Sequence, residues 1–328
     1  MRGRQAASMG LLIACAVGTT LVGAQQAGVG QTPSGLPLTV PIRERGTSVT
    51  PAFEGWYFDK DGSQRVMVGY FNRNTKQEFD IPAGPNNRVE PGPPDQGQPT
   101  HFSAGRQWGV FTVKVPKDFG TKKMSWTIVA NGYTNTVTLH TMPDYIVEPF
   151  EDAANKNTPP KFTFQPNGPV FTGPSSAIAE TFSGAVGVPV AITAWMSDEG
   201  PKINVPDPST RGRGRGARGA AAPSGAAVPT GAAAPAGAAA GRGAAPGGFT
   251  PPPAMAATWS KFRGPGDVKF DNNKPTIDRA VDGKIVTNAT FSAPGEYILR
   301  IEGNDSTGQG GGGFQCCWST AHVSVTIK

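Results

Sequence analysis

The chain is poor in the residue types on which most catalytic and metal centres depend. It has three cysteines and three histidines in 328 residues, and charged residues make up only 16% of it. The histidines (His101, His140 and His322) show no metal-ligand spacing, so each is expected to be a surface or strand histidine. The sequence also lacks a Gly-x-Ser-x-Gly elbow and a phosphate-binding loop. We therefore predict no catalytic residues, no metal and no cofactor.

The cysteines exclude a bridge between distant strands. Besides Cys15, the chain has only the adjacent pair Cys316 and Cys317, so the inter-sheet disulfide of antibody domains has no partners. In an oxidising compartment the pair can form a vicinal disulfide, stay as two thiols or bridge to another chain. A vicinal disulfide needs a distorted backbone, because neighbouring residues of a strand point to opposite faces. The glycines at 310–313 would permit that distortion.

The N-terminal residues have the pattern of a secretory signal peptide. Arg2 and Arg4 precede an apolar run over residues 9–22, and small residues follow it. We predict cleavage after Ala24 and export to the periplasm, cell envelope or exterior of a bacterium. The run is short for a transmembrane helix, and no second run of spanning length follows it. The alternative is a lipid anchor at Cys15, because residues 12–15 resemble the lipobox of bacterial lipoproteins.

The net charge of +6 is concentrated in two places. Two of the positive charges belong to the signal peptide. Residues 211–253 contain no acidic residue and carry five arginines: Arg211, Arg213, Arg215, Arg218 and Arg242. The rest of the chain is close to neutral, which argues against a nucleic-acid-binding domain with a basic face.

Glycine and proline, at 44 and 32 residues, favour a turn-rich β protein over helical bundles. We predict a disordered leader over 25–50 and an N-terminal β-sandwich over 51–150. Two hairpins are expected, at Asp61-Gly62 and at Asn131-Gly132. Residues 81–99 contain six prolines, so we expect a long loop there without strand or helix.

A low-complexity segment interrupts the second half of the chain. Residues 206–255 consist mostly of Gly, Ala, Pro and Arg and have few apolar side chains with which to form a core. Such a composition predicts a disordered linker.

The strands on either side of this linker resemble bacterial PKD-like domains of the immunoglobulin type. The resemblance covers about 185–205 and 256–328, and rests mainly on Trp259-Ser260 followed by Gly264-Pro265-Gly266, and on Ala293-Pro294-Gly295-x-Tyr297. The resemblance implies a sandwich of about seven strands in which Trp259, Tyr297, Leu299 and Ile301 are core residues, with Tyr297 as the corner tyrosine of such folds. Together with the N-terminal sandwich, in which we recognise no family, this predicts an all-β chain of two β-sandwich domains, the second formed by 151–205 and 256–328.

The same resemblance places the linker and the loop before the last strand at one end of the sandwich. There, six residues would converge on a possible binding site: Trp318, Cys316, Cys317, Arg211, Arg213 and Arg215. In the alternative interpretation, these loops are tolerated insertions and Trp318 packs inward.

The predicted function is a non-catalytic interaction, adhesion or structural module whose partners are envelope or extracellular proteins or polysaccharides, not nucleic acids. One alternative is a β-sandwich hydrolase acting on a polysaccharide or ester. Its general acid and base would come from four carboxylates: Glu54, Asp59, Asp80 and Glu90. A second alternative is a polyanion-binding protein that uses the arginines of the linker.

Overall fold

The computed structural model describes residues 42–117, 119–153, 156–175, 177–200, 255–305 and 316–328. Within these ranges the chain forms strands, two single-turn 3-10 helices at Pro143–Tyr145 and Arg279–Val281, and no α-helix. The expected all-β fold is confirmed. The strands fall into two groups, and strand pairing occurs within each group.

The first group forms two three-stranded sheets and one short strand pair. Its strands are β1 (Val49–Phe58), β2 (Gln64–Asn72), β3 (Phe79–Asp80), β4 (Asn87–Glu90), β5 (His101–Phe102), β6 (Gly105–Lys114), β7 (Met124–Ala130) and β8 (Tyr133–Leu139). One sheet has the order β1-β2-β6, the other has β4-β7-β8, and β3 pairs with β5. The two larger sheets pack face to face, with Phe111 and Trp126 in edge contact at 5.0 Å between ring centroids.

Both predicted hairpins are confirmed. Phe58 pairs with Gln64 across the turn that contains Asp61-Gly62. Ala130 pairs with Tyr133 across Asn131-Gly132, whose φ angles are 49° and 78°. Two consecutive positive φ angles define the type I′ turn that matches the twist of a hairpin.

The prediction of no strand over residues 81–99 is wrong for β4. Five residues without proline lie between Pro85 and Pro91, and the last four of them, Asn87–Glu90, pair with β7. Because β4 is the edge strand of its sheet, the flanking prolines remove no hydrogen bond that the sheet needs. The rest of the segment is loop, as expected.

The last residues of the predicted leader are described and contact the first sandwich. The backbone N–H of Thr47 donates to the Asn74 side chain at 2.8 Å, and the Asn74 amide donates back to the Thr47 carbonyl at 3.0 Å. Strand β1 then begins at Val49. This amide satisfies both backbone groups of Thr47, which orders the residues that precede β1.

The second group forms a five-stranded and a four-stranded sheet. Its strands are β9 (Lys161–Thr163), β10 (Phe171–Thr172), β11 (Ile178–Gly184), β12 (Val190–Ser197), β13 (Met255–Arg263), β14 (Val268–Phe270), β15 (Lys284–Phe291), β16 (Gly295–Asp305) and β17 (Trp318–Ile327). The sheet orders are β10-β9-β12-β15-β14 and β11-β17-β16-β13, and β11 runs parallel to β17. From β12 onward this is the strand order B, E, D and C, F, G of the immunoglobulin-type sandwich.

The core of the second sandwich contains the residues that the resemblance implied. Trp259, Tyr297, Leu299 and Ile301 are all at most 1% exposed, which confirms their core positions. The Tyr297 hydroxyl donates to the Ala293 carbonyl at 2.8 Å, so it also has the role of a corner tyrosine.

Several predicted segments lie outside the described residues: the signal peptide, most of the leader, and the linker up to residue 254. The described residues on either side of residues 201–254 are Gly200 and Met255. Gly200 and Met255 line one cavity of about 570 Å³, although β12 and β13 belong to different sheets. The domain limits expected from the sequence stay a prediction.

Candidate functional site

The two sandwiches are joined through the outer face of the β13-β16-β17 sheet. On β17, Ala321, Val323 and Val325 belong to the core of the second sandwich. The alternate residues Trp318 and His322 point to the other face, yet they are only 3% and 5% exposed. The first sandwich covers this face, which is therefore an internal junction.

Trp318 is held in this junction by the first sandwich. It forms an apolar cluster with Tyr57, Met67 and Val147. Its ring lies so close to Gly109 that a Cβ atom at that position would be 2.1 Å from the indole. Gly109 also has a φ of +48°, a conformation that favours glycine. Position 109 therefore favours glycine for two reasons: the backbone conformation, and the space that the Trp318 ring occupies.

A buried ionic network lies next to Gly109. The Glu54 carboxylate accepts hydrogen bonds from the Arg106 guanidinium and from the Gly109 N–H, both at 2.6 Å. Burial raises the pKa of Glu54, although Arg106 and Arg300 act in the opposite direction. Arg300 reaches across from the second sandwich and donates to the Trp108 carbonyl at 3.2 Å. The network ties the sheets of the two sandwiches together.

The proline-rich loop supplies a second connection. Arg263 of β13 donates to both carboxylate oxygens of Asp95 at 2.8 Å, and the Thr100 N–H donates to the Phe262 carbonyl at 3.1 Å. Inside the loop, the Asn87 amide donates to the carbonyls of Ile81 and Pro99. The loop is thus fixed at both ends and attached to the second sandwich.

A cleft of about 440 Å³ opens beside this connection, between the two sandwiches. The first sandwich contributes residues on and around β3, β5 and β6, and the second contributes residues of β13 and of the segment around β14. The residues that line it are Glu78, His101, Ser103, Ala104, Gln107, Thr258, Trp259, Ser260, Lys261, Asp267, Val268, Phe270 and Asn273.

An ionic chain crosses the wall of the cleft. His101 contacts Asp80 through Nδ1 at 3.0 Å and Glu78 through Nε2 at 3.4 Å. The Lys261 ammonium, whose side chain is 4% exposed, donates to the same oxygen of Asp80 at 2.7 Å. The chain therefore links β13 of the second sandwich to β3 and β5 of the first.

The pKa shifts of the cleft residues follow from these contacts. Burial alone would lower the pKa of His101, but hydrogen bonds to Asp80 and Glu78 outweigh it and raise the pKa. The hydrogen bond with His101 lowers the pKa of Glu78. Burial opposes the same effect at Asp80, where His101 and Lys261 together lower the pKa. The arrangement favours a protonated imidazole between two ionised carboxylates.

The four carboxylates of the hydrolase hypothesis are not gathered in one site. Glu54 is bound within the junction, Asp59 pairs with Arg65, and Glu90 pairs with Arg88. Of the four, Asp80 belongs to the ionic chain of the cleft. Among the described residues, no Ser, Thr or Cys side chain forms a hydrogen bond with a histidine.

The predicted site residues occupy other positions. Cys316 and Cys317 are joined by a disulfide and are at most 6% exposed. Trp318 lies in the junction, and its role in ligand binding stays a prediction. Arg211, Arg213 and Arg215 lie outside the described residues. Polyanion binding by these arginines therefore stays a prediction. The described ends of the two loops do meet, because Met255 pairs with Asp305 and Asn304 pairs with Trp318.

Sequence reasoning missed the cleft. Glu78 and Asp80 are two residues apart, and side chains at that spacing lie on the same face of an extended chain. The spacing could therefore have indicated that the two carboxylates lie together. His101 follows the proline-rich loop on a strand of two residues, too short to show a period. Nothing local to Lys261 indicates that its partner lies 181 residues away.

The described ranges contain no group of three His, Cys, Asp or Glu side chains arranged to hold a metal ion. Within them, no helix is long and apolar enough to cross a membrane.

No protein-family model matches the chain, and no curated protein matches it. Among solved structures, the tandem immunoglobulin domains A164–A165 of titin are similar. That match has 8% identity, covers 86% of this chain and 99% of that chain, and has a TM-score of 0.21. At so low a TM-score, the immunoglobulin-like arrangement rests on the strand pairing described above.

Proposed function

We propose that the protein is an exported, non-catalytic interaction module of the bacterial envelope or exterior, and that the cleft between its sandwiches is its binding site. In this proposal the second sandwich is a PKD-like domain and the first serves as its fixed partner. Ligand sites occur preferentially at domain interfaces and have volumes of about 300–1,000 Å³, a range that includes this cleft.

The observation that carries the proposal is that polar residues from both sandwiches line one cleft whose walls are held in place. The Asp80–Lys261 ion pair and the bidentate Arg263–Asp95 pair each connect the first sandwich to β13. A site whose walls are fixed before binding loses less conformational entropy when a ligand enters.

A pull-down from envelope fractions with the mature full-length chain tests this proposal. We expect capture by the wild type to be lost in His101→Gln, which removes the bridge between Glu78 and Asp80. His140→Gln is the matched control, since His140 contacts Phe53 and Tyr145 and does not line the cleft. Equal capture by both variants would place binding elsewhere, and capture of nothing by the wild type would count against an interaction module.

Acid–base chemistry is the second candidate, because His101 lies between two carboxylates at the cleft wall. A panel of polysaccharide and ester substrates decides between the two functions. Turnover by the wild type that disappears in His101→Gln and persists in His140→Gln would replace the binding proposal with a hydrolase.

A further inference from the structure

The lining of the cleft indicates which class of ligand it accepts. Five of its polar side chains are uncharged, namely the hydroxyls of Ser103, Thr258 and Ser260 and the amides of Gln107 and Asn273. Hydroxyls and amides both donate and accept hydrogen bonds, so they complement a ligand whose own groups do both.

The charges of the lining exclude an anionic ligand. The cations of the cleft among the described residues are His101 and Lys261, and both are already paired with carboxylates. An acidic ligand would have to compete with Asp80 for Lys261, whose side chain is 4% exposed, and would face Glu78 and Asp267 at the same time. An anion would therefore enter the cleft without an available counter-charge.

The second-sandwich wall of the cleft has an apolar patch. Phe270 and Val268 of β14, which pack against the edge of the second core, are half-buried and line the cleft. An aromatic ring beside hydroxyl and amide groups fits a ligand that has an apolar face and a polar edge. A pyranose ring has this shape, because its axial C–H groups form a face and its hydroxyls form a rim.

We infer that the cleft binds an uncharged saccharide, with the Phe270 ring against a sugar face and the amides of Asn273 and Gln107 hydrogen-bonded to hydroxyls. The inference rests on the proposed function and names the ligand class of the same site. The ionic chain through His101 holds the first-sandwich wall of the cleft against β13 and leaves the binding to neutral groups.

Calorimetric titration of the mature full-length chain tests the ligand class. The probes are four uncharged trisaccharides (maltotriose, cellotriose, xylotriose and chitotriose), the acidic trigalacturonate and the basic peptide trilysine. We expect at least one uncharged trisaccharide to bind, and trigalacturonate and trilysine not to bind.

Two pairs of variants locate the binding. Asn273→Ala is expected to weaken trisaccharide binding about tenfold, the effect of one lost hydrogen bond. Phe270→Ala is expected to weaken it by at least as much. The controls are Asn86→Ala, on an exposed loop residue, and Phe58→Ala, an aromatic side chain that is 52% exposed and lines a different depression. Both controls should leave the affinity within about twofold of the wild type.

The outcomes distinguish a failure of the saccharide inference from a failure of the proposed binding function. No binding of any uncharged trisaccharide, or binding that neither cleft variant weakens, overturns the saccharide inference. Binding of trilysine or trigalacturonate that Asn273→Ala weakens also overturns it but preserves a cleft-based binding module. Because the Asn273 side chain is exposed, Asn273→Ala remains informative even if Phe270→Ala unfolds the chain.

Discussion

His322 is expected to make the protein acid-sensitive. The residue is 5% exposed, its ring lies 4.4 Å from that of Phe262, and its Nε2 has no hydrogen-bond partner among the described residues. Burial, with smaller contributions from Arg300 and Arg263, lowers the pKa of His322 to about 3. The folded protein therefore holds this imidazole neutral throughout the range in which an unfolded chain takes up the proton.

The direction and size of the effect follow from that difference. Below pH 6.5 the unfolded state binds a proton that the folded state does not accept until about pH 3, so the free energy of unfolding falls as the pH is lowered through this window. From these two pKa values, His322 alone removes about 2 kcal/mol between pH 7 and pH 5. A loss of that size is a large fraction of the roughly 5–15 kcal/mol that stabilises a folded domain.

Urea unfolding followed by tryptophan fluorescence at pH 7, 6 and 5 measures this contribution. His322→Phe keeps a ring against Phe262 and removes the titrating group, so its stability should fall with pH less steeply than that of the wild type by about 2 kcal/mol over this range. His140→Phe makes the same change in the partly exposed cluster with Phe53 and Tyr145. If the wild type and His322→Phe lose stability in parallel, His322 is not a buried neutral base and the reasoning fails.

Two further substitutions test the junction and the core. In urea titrations, Gly109→Ala should lower the free energy of unfolding by at least about 2 kcal/mol more than Gly62→Ala does. Both glycines have positive φ, but only Gly109 lies against the Trp318 ring. Equal losses of stability would mean that the indole ring moves at little cost. Tyr297→Phe should destabilise by about 1–2 kcal/mol through loss of its bonds to Ala293 and Gly266, whereas Tyr133→Phe, at a position 45% exposed, should stay near neutral in the same assay. A neutral Tyr297→Phe would show that the corner hydrogen bonds add nothing to stability.

The features that the sequence predicted correctly are local ones. Asn131-Gly132 and Asp61-Gly62 specify their hairpins through turn conformation, which needs no information from distant residues. By contrast, the parallel pairing of β11 with β17 joins residues 178–184 to residues 322–327. No turn connects these two strands, so no local sequence signal predicts their pairing. Strand β4 was missed because a strand of four residues is too short to show alternation.

The site was missed for a different reason. Alternation along β17 shows that Trp318 and His322 share a face, but it does not show what covers that face. Here the covering layer is another sandwich, whose sheets come from residues more than 150 positions earlier in the chain. The cleft depends on the same docking, since its walls belong to two separately predicted domains. A sequence pattern confined to one domain holds no signal for such a site.

The closeness of Gly200 and Met255 has an evolutionary consequence. Since both residues border a single cavity, the sheets on either side need only a connection between two neighbouring points. For a connection as flexible as the composition of residues 206–255 predicts, closure becomes harder only slowly with length, by about 0.6 kcal/mol for each doubling. Changes in the length of the stretch between β12 and β13 are therefore expected to cost little folding stability, so that selection on folding would tolerate them.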